Sequence, residues 1–259
     1  MHAISQRLHG TSLAGKLFRL PLKLLPGGMV VAVKSGLNRG CKWVVGTGTH
    51  SCWLGFYEHD KQQAIARFSR TGMVMFDVGA NVGFYTLAFS RLAGDAGRVF
   101  AFEPDASNMV QLRRHVALNH LTNTVVVQMA LAARTELVGF TSGKSGETGH
   151  IGGEGYLVPA ASLDELIASS ALAAPDFVKM DVEGAEASVL EGARVLLATN
   201  RTVWLIALHG EVPKRDCFRL LREYGYLIQD LAGHPVDEHF SGDEIAAIPA
   251  QLVHGAQSG

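Results

Sequence analysis

The segment VKMDVEGAE (178–186) places ionisable side chains at every second position: Lys179, Asp181 and Glu183. Alternate side chains of a strand lie on one face, so Lys179 and Asp181 point the same way, and Glu183 joins them if the extended backbone continues. A lysine within an apolar strand needs a partner, and Asp181 is the nearest candidate. The spacing predicts either a buried ion pair that holds the strand or a cluster that contacts a cofactor and an acceptor.

A histidine, His209, ends the next apolar run in LIALHGE (205–211). Its ordinary pKa lies near neutrality, which suits a general base acting on a hydroxyl group. We therefore predict His209, with Lys179 and Asp181, as catalytic, although a histidine at a strand end can also be purely structural. Asp181 and Glu183 could bind Mg²⁺ weakly, but no His/Asp/Glu cluster has a convincing metal spacing, so we predict no metal.

A glycine-bearing turn follows the first regular strand, in FDVGANVGFYT (76–86). Gly79 and Gly83 permit a tight turn and close approach of a ligand to the backbone. The spacing does not match the G-x-G-x-x-G dinucleotide fingerprint, and Asp77 at the strand tip would repel a pyrophosphate. Glu103, twenty residues after Gly83, ends the next strand, where a carboxylate can accept hydrogen bonds from both ribose hydroxyls. Together they predict an adenosyl cofactor with a cationic sulfonium, S-adenosylmethionine.

The elements that position these residues alternate between strand and helix. Apolar runs predict strands at 73–78, 98–103, 124–130, 136–142, 176–182, 202–208 and 226–230, with helices between most of them. This alternation predicts a doubly wound, mostly parallel α/β sheet with helices on both faces. We expect one domain over residues 58–240, an extension over 1–57 and a loosely specified tail over 241–259.

Charge is distributed unevenly along the 259 residues. The net charge is −1, yet residues 1–57 contain seven Lys and Arg and no Asp or Glu. Such a basic extension either packs on an acidic domain or contacts an anionic surface. The balanced total argues against a nucleic-acid binder. Three scattered cysteines and no CxxC pair favour a reducing compartment, so we expect a cytoplasmic protein.

Several segments resemble the FkbM-type methyltransferases, in the same order along the chain: DVGANVGFYT (77–86), VFAFEPD (99–105) and VKMDVEGAEASVLEGA (178–193). The resemblance implies a class I, Rossmann-like methyltransferase fold and methyl transfer from S-adenosylmethionine to a hydroxyl of a saccharide or secondary metabolite. It also implies cofactor contacts. The methionine and ribose portions would be surrounded by Asp77, Gly79, Asn81, Gly83 and Tyr85; Glu103 would hold the ribose, Gln128 and Ala130 would border the adenine, and Asp181 and Glu183 would lie beside the cofactor.

One departure from the family pattern keeps alternatives open. The family usually has Glu two residues before the histidine, where this chain has Ala207, and Glu211 is close enough in sequence to compensate. Ala207 is the only feature that favours a non-catalytic cofactor-binding module as an alternative to an O-methyltransferase. A NAD(P)- or nucleotide-sugar-binding oxidoreductase on the same kind of sheet is a second alternative, against which the failed glycine fingerprint and the absence of a clear Tyr-x-x-x-Lys pair argue. The glycine-rich stretch 143–155 is either a lid over the acceptor or a hairpin connection.

Overall fold

The computed structural model describes residues 25–143, 149–152, 155–169 and 172–254. Its helices and strands are, in chain order, β1 (Val30–Ala32), β2 (Lys42–Val44), α1 (His50–Leu54), α2 (His59–Phe68), β3 (Val74–Val78), α3 (Phe84–Ala93), β4 (Arg98–Phe102), α4 (Ala106–Leu118), β5 (Thr124–Val127), β6 (Ala130–Leu131), β7 (Glu136–Thr141), β8 (His150–Ile151), β9 (Tyr156–Ala161), α5 (Leu163–Ala168), β10 (Phe177–Met180), α6 (Glu186–Glu191), α7 (Arg194–Ala198), β11 (Val203–Ala207), α8 (Glu211–Glu223), β12 (Tyr226–Gln229), β13 (Glu244–Pro249) and α9 (Ala250–His254).

The chain divides into two compact units, residues 1–57 and 58–259. In the described part of the first unit, β1 and β2 form an antiparallel pair, followed by α1. Most of its basic residues (Arg7, Lys16, Arg19 and Lys23) lie outside the described residues, so the structure does not test the predicted basic extension. No helix among the described residues is both long enough and apolar enough to cross a membrane.

The second unit is built on a seven-stranded sheet of order β12-β13-β11-β10-β3-β4-β5. Strands β11, β10, β3, β4 and β5 pair in parallel, as predicted. The chain runs outward from β3 through β4 to β5 and then returns to β10 on the other side of β3. Strand order therefore reverses between β3 and β10, and ligands of open α/β sheets bind at the carboxyl ends of the strands beside such a point.

Helices cover both faces of this sheet. Alternate side chains of β3 therefore contact helices on opposite sides. Phe76 and Val78 belong to a core with residues of α6, α7 and α8, such as Val189 and Phe218. The intervening Asp77 lies on the opposite face, where it bonds to Thr86 of α3. The doubly wound α/β fold predicted from the alternation is confirmed.

Short polar signals set two of the helix starts. The Asp105 carboxylate accepts hydrogen bonds from the N–H groups of Ser107 and Asn108 at the start of α4. The Ser162 hydroxyl oxygen accepts one from the N–H of Glu165 at the start of α5. Two short helices, α6 and α7, lie between β10 and β11, and between them is Gly192, where a Cβ would come within 2.1 Å of the Ala132 carbonyl oxygen.

The structure corrects the expected strand over 124–130. The strand β5 ends at Val127, and Ala130 begins β6 in a separate four-stranded sheet of order β6-β9-β7-β8. The glycine-rich stretch 143–155 lies between β7 and β9 of that sheet and contains β8, which pairs with β7. Residues 144–148 and 153–154 lie outside the described part, so the choice between lid and hairpin connection stays open.

A second correction concerns the expected tail over 241–259. Residues 244–249 form β13, which pairs antiparallel with both β11 and β12 inside the main sheet. Its residues Ile245, Ala246 and Ala247 are fully buried. The segment was missed because its apolar run, EIAAIP, is short, alanine-rich and ends at a proline, which is a weak strand pattern.

Candidate active site

The predicted site residues gather at the carboxyl ends of β3, β10 and β11, beside the reversal of strand order. Parallel pairing places Asp77 opposite Lys179, and Val78 opposite Met180. Strands β10 and β11 end next to each other, so the segments after them, which carry Asp181 and His209, meet at one edge. The sheet topology thus brings together residues separated by more than one hundred positions in sequence.

Asp77 and Lys179 pack beneath this edge. The Asp77 carboxylate is fully buried, accepts a hydrogen bond of 2.6 Å from the Thr86 hydroxyl and lies 3.5 Å from the Lys179 ammonium. Burial raises the pKa of Asp77, and Lys179 opposes that rise. The Lys179 ammonium also donates a 3.0 Å hydrogen bond to the Gly79 carbonyl. These contacts therefore stabilise the packing of the turn after β3 against strand β10.

The turn itself depends on close backbone contact. Gly79 has φ +73°, and a Cβ there would lie 1.9 Å from the Asp181 carbonyl oxygen. Gly83 has φ +95°, and a Cβ there would lie 2.6 Å from the Leu112 side chain. Asn81 adopts φ +50°, which directs its backbone N–H toward Glu103. These conformations explain the two glycines that the sequence singled out.

Glu103 joins the ends of β3 and β4. One oxygen accepts a 2.7 Å hydrogen bond from the Asn81 N–H, and the other accepts one of 2.9 Å from the Asp105 N–H. Burial raises the pKa of Glu103, while these hydrogen bonds lower it. A carboxylate has about four lone-pair sites, and these backbone hydrogen bonds occupy part of them. The predicted contact with the ribose would use lone-pair sites that are left. Of the residues expected near adenine, Gln128 is exposed after β5, and Ala130 is buried in β6.

Two buried cations lie near the aromatic ring of Tyr85. Its hydroxyl donates a hydrogen bond to Glu58. The ammonium groups of Lys61 and Lys179 lie 5.6 and 5.3 Å from the ring centroid, within cation–π range. Tyr85 is itself buried.

Lys61 is a residue that the sequence reasoning missed. Its ammonium lies 3.0 Å from Glu58 and 3.7 Å from Asp181, and it also contacts Glu244 at the start of β13. Burial would lower the pKa of Lys61, but the three carboxylates hold it above its usual value. One signal was present: Lys61 is four residues before the buried Ile65 on α2, and therefore on its apolar face. Glu244 was missed with β13.

His209 is held by a carboxylate from a different part of the chain. Its Nδ1 lies 2.7 Å from an oxygen of the fully buried Glu186, which also accepts a 2.9 Å hydrogen bond from the Gly184 N–H. The hydrogen bond to Glu186 raises the pKa of His209 to about 8, against the effect of burial. The compensating carboxylate is therefore Glu186 and not Glu211, which begins α8. The sequence signal for Glu186 was its position two residues after Gly184.

The other imidazole nitrogen faces two carboxylates. Nε2 of His209 lies 3.7 Å from Asp181 and 3.6 Å from Glu183. Burial would raise the pKa of Asp181, but Lys179, Lys61 and His209 hold it below its usual value. Burial raises the pKa of Glu183, which adopts φ +52°, a strained conformation for a residue with a side chain.

This arrangement has the chemistry that S-adenosylmethionine requires. A strand-to-helix turn with glycines at positive φ lies beside carboxylates, which suit the positive charge of a sulfonium and an ammonium group. Ligand atoms of Asp181, Glu183 and His209 also lie within 4.8 Å of one another, so a cation could be held there.

The part of the chain that carries this site matches the model of a known protein family. Residues 77–228 match the model of the methyltransferase FkbM domain, which is more than half of the chain. The chain belongs to the FkbM methyltransferase family. S-adenosylmethionine is accordingly the cofactor, and the family membership decides against the dinucleotide-dependent alternative. Lys61 and Glu244 lie outside the matched residues.

One curated relative is the hexuronic acid methyltransferase AglP of Haloferax volcanii. The two are 30% identical over 154 residues, which are 58% of this chain and 62% of the relative. This chain therefore spans less than two thirds of that relative's length.

Two solved structures share part of the course of this chain. An FkbM methyltransferase from Methylobacillus flagellatus is 24% identical, with a TM-score of 0.45 over 68% of this chain and 43% of its own. The fibrillarin of Aeropyrum pernix, solved with natively bound S-adenosylmethionine, is 16% identical, with a TM-score of 0.41 over 69% of this chain and 66% of its own.

Proposed function

We propose that this protein is an S-adenosylmethionine-dependent O-methyltransferase whose acceptor is a hydroxyl group of a saccharide. The observation that carries the proposal is the orientation of His209: Nδ1 is bonded to the buried Glu186, and Nε2, on a side chain that is 34% exposed, lies beside Asp181 and Glu183. The name of the AglP relative, a hexuronic acid methyltransferase, supports a saccharide acceptor over other secondary metabolites.

The chemistry divides between donor and base. When bound, S-adenosylmethionine supplies an electrophilic methyl group on a sulfonium. The Gly79–Gly83 turn, Glu103 and Asp181 would hold it. His209 Nε2 takes the proton of the acceptor hydroxyl as its oxygen becomes nucleophilic, and Glu186 stabilises the imidazolium that forms. Alignment of donor and acceptor supplies much of the remaining acceleration.

Lys179 and Asp181 act by position in this proposal. Lys179 is buried against Asp77 and the Gly79 carbonyl, so it organises the turn and does not reach an acceptor. One oxygen of Asp181 faces Lys61 and Lys179, and the other faces His209. Asp181 therefore links the cofactor turn to the base.

The experiment replaces His209 and measures methyl transfer to a panel of methyl glycosides. His209→Ala should lower kcat by about 10²–10⁴-fold, the usual contribution of a general base, while S-adenosylmethionine affinity by calorimetry stays within about twofold. His234→Ala, at a largely exposed histidine after β12, is the matched control. Undiminished turnover of His209→Ala would remove His209 from the mechanism, and no methylation of any glycoside by the wild type would contradict the proposed function.

A further inference from the structure

The charges that face solvent at the acceptor end of the site are predominantly negative. The side chains of Asp181 and Glu183 are 25% and 31% exposed, and Glu58 and Glu244 are exposed to a similar extent. The two lysines of the cluster are only 3% and 5% exposed. A molecule that approaches His209 therefore meets carboxylates before it meets ammonium groups.

Both lysines are already matched by acids. Lys61 contacts three carboxylates, and Lys179 lies between Asp77, Asp181 and the Gly79 carbonyl. When His209 is protonated, its charge is matched by the buried Glu186 and flanked by Asp181 and Glu183. No cation of this described cluster is left to pair with an anionic acceptor.

The base also indicates which acceptor is methylated. A hydroxyl must lose its proton as the new bond forms, whereas a carboxylate is already ionised at neutral pH and requires no base. Of these two oxygen acceptors, only the hydroxyl benefits from an imidazole oriented by a buried glutamate. The imidazole would be of no use for forming an ester on a sugar acid.

We infer that the acceptor end of this site selects sugars without a carboxylate near the reacting hydroxyl, and that Glu183 is a specificity-determining residue for this selection. The inference rests on the proposed function and defines its substrate class: neutral or amino sugars that are converted to methyl ethers. Glu183 is chosen because it is the most exposed carboxylate that faces His209, at 3.6 Å from Nε2. Like charges placed together at a binding site disfavour the wrong partner strongly.

The test compares two acceptors of equal shape and different charge, the methyl glycosides of glucuronamide and glucuronate. The wild-type kcat/KM should be higher for the amide by about tenfold or more, as expected for like charges a few ångströms apart. Glu183→Gln should reduce this ratio severalfold. Asp95→Asn, at an exposed acid between α3 and β4 at the opposite edge of the sheet, removes the same charge and should leave the ratio unchanged.

Each remaining outcome counts for or against the inference. A wild-type ratio of one or below overturns it, as does an unchanged ratio in Glu183→Gln. A ratio that reverses when Mg²⁺ is added, and returns with EDTA, also overturns it, because a bound cation would then set the local charge.

If no glycoside is methylated, the proposed function fails separately. The charge preference is then measured by the binding of both glycosides to the complex of the protein with S-adenosylhomocysteine. There, equal binding, or no binding of either glycoside, overturns the inference.

Discussion

At the scale of single residues, the decisive pair is His209 with Glu186. Glu186 has one of its two oxygens bonded to Nδ1 of His209 and is fully buried, so its charge depends on the imidazole for compensation. This dependence works in both directions, because the carboxylate raises the pKa of His209 to about 8. The same hydrogen bond orients the base and sets the pH at which the base is available.

The pH dependence of activity follows from this pair. Wild-type kcat should increase as the pH rises through about 8, because the base must be deprotonated. Glu186→Gln removes the charge that raises the pKa of His209, so the increase should move to lower pH. Glu191→Gln, at the other end of α6, is the matched control and should keep the wild-type profile. An unshifted profile for Glu186→Gln would show that this carboxylate does not tune the base.

The same pKa predicts the opposite trend in stability. A group whose pKa is raised from 6.5 to about 8 by folding stabilises the protein fully below pH 6.5, and that contribution is lost as the pH rises through about 8. The difference in unfolding free energy between wild type and Glu186→Gln should therefore shrink over this range in urea titrations.

At the scale of elements, the turn after β3 is the part of the site with the tightest steric constraints. Two strand ends, β3 and β10, approach so closely that only glycine fits at position 79. Lys179 reinforces this contact with its hydrogen bond to the Gly79 carbonyl. The turn is thus shaped by the neighbouring strand as well as by its own sequence.

Two glycine substitutions separate backbone strain from steric overlap. Gly72 has φ +89°, and no atom lies within 4 Å of the point that a Cβ would occupy there, whereas a Cβ at Gly79 would overlap the Asp181 carbonyl oxygen. Gly72→Ala should cost about 1–2 kcal/mol, the cost of a left-handed conformation. Gly79→Ala should cost more and also weaken S-adenosylmethionine binding. Urea unfolding and calorimetry measure both; equal costs would mean that the contact with Asp181 relaxes easily.

At the scale of the folded unit 58–259, Lys61 connects parts that are distant in sequence. Its ammonium contacts acids at the start of α2, after β10 and at the start of β13. The start of the unit and its last strand are thereby tied to the end of β10. Stability and site geometry are coupled through one buried cation.

Removal of that cation should destabilise the whole unit. Lys61→Met keeps most of the side-chain volume but leaves three carboxylates without their shared partner. We expect a loss of at least about 2 kcal/mol in unfolding free energy, because three partly buried carboxylates would lie close together without the cation that they share. Arg134→Met, which breaks an exposed ion pair with Glu136, is the control and should cost less than about 1 kcal/mol. Similar losses in both variants would contradict a central role for Lys61.

The sequence by itself determined the α/β alternation, the glycine turn at 79–83 and the positions of Lys179, Asp181 and His209 at strand ends. These features are local, since strand periodicity, turn glycines and helix caps depend on neighbouring residues. The family resemblance added the cofactor, and the match over residues 77–228 confirmed it.

Only the tertiary structure decided which charges meet. Glu186 rather than Glu211 partners His209, Lys61 and Glu244 complete the cluster, and β13 enters the sheet from the expected tail. Such contacts join segments up to about 180 residues apart, and their energies depend on burial and distance, which no local pattern encodes. A buried charge is stable only beside a partner of opposite charge, and here folding brings that partner from a distant part of the sequence.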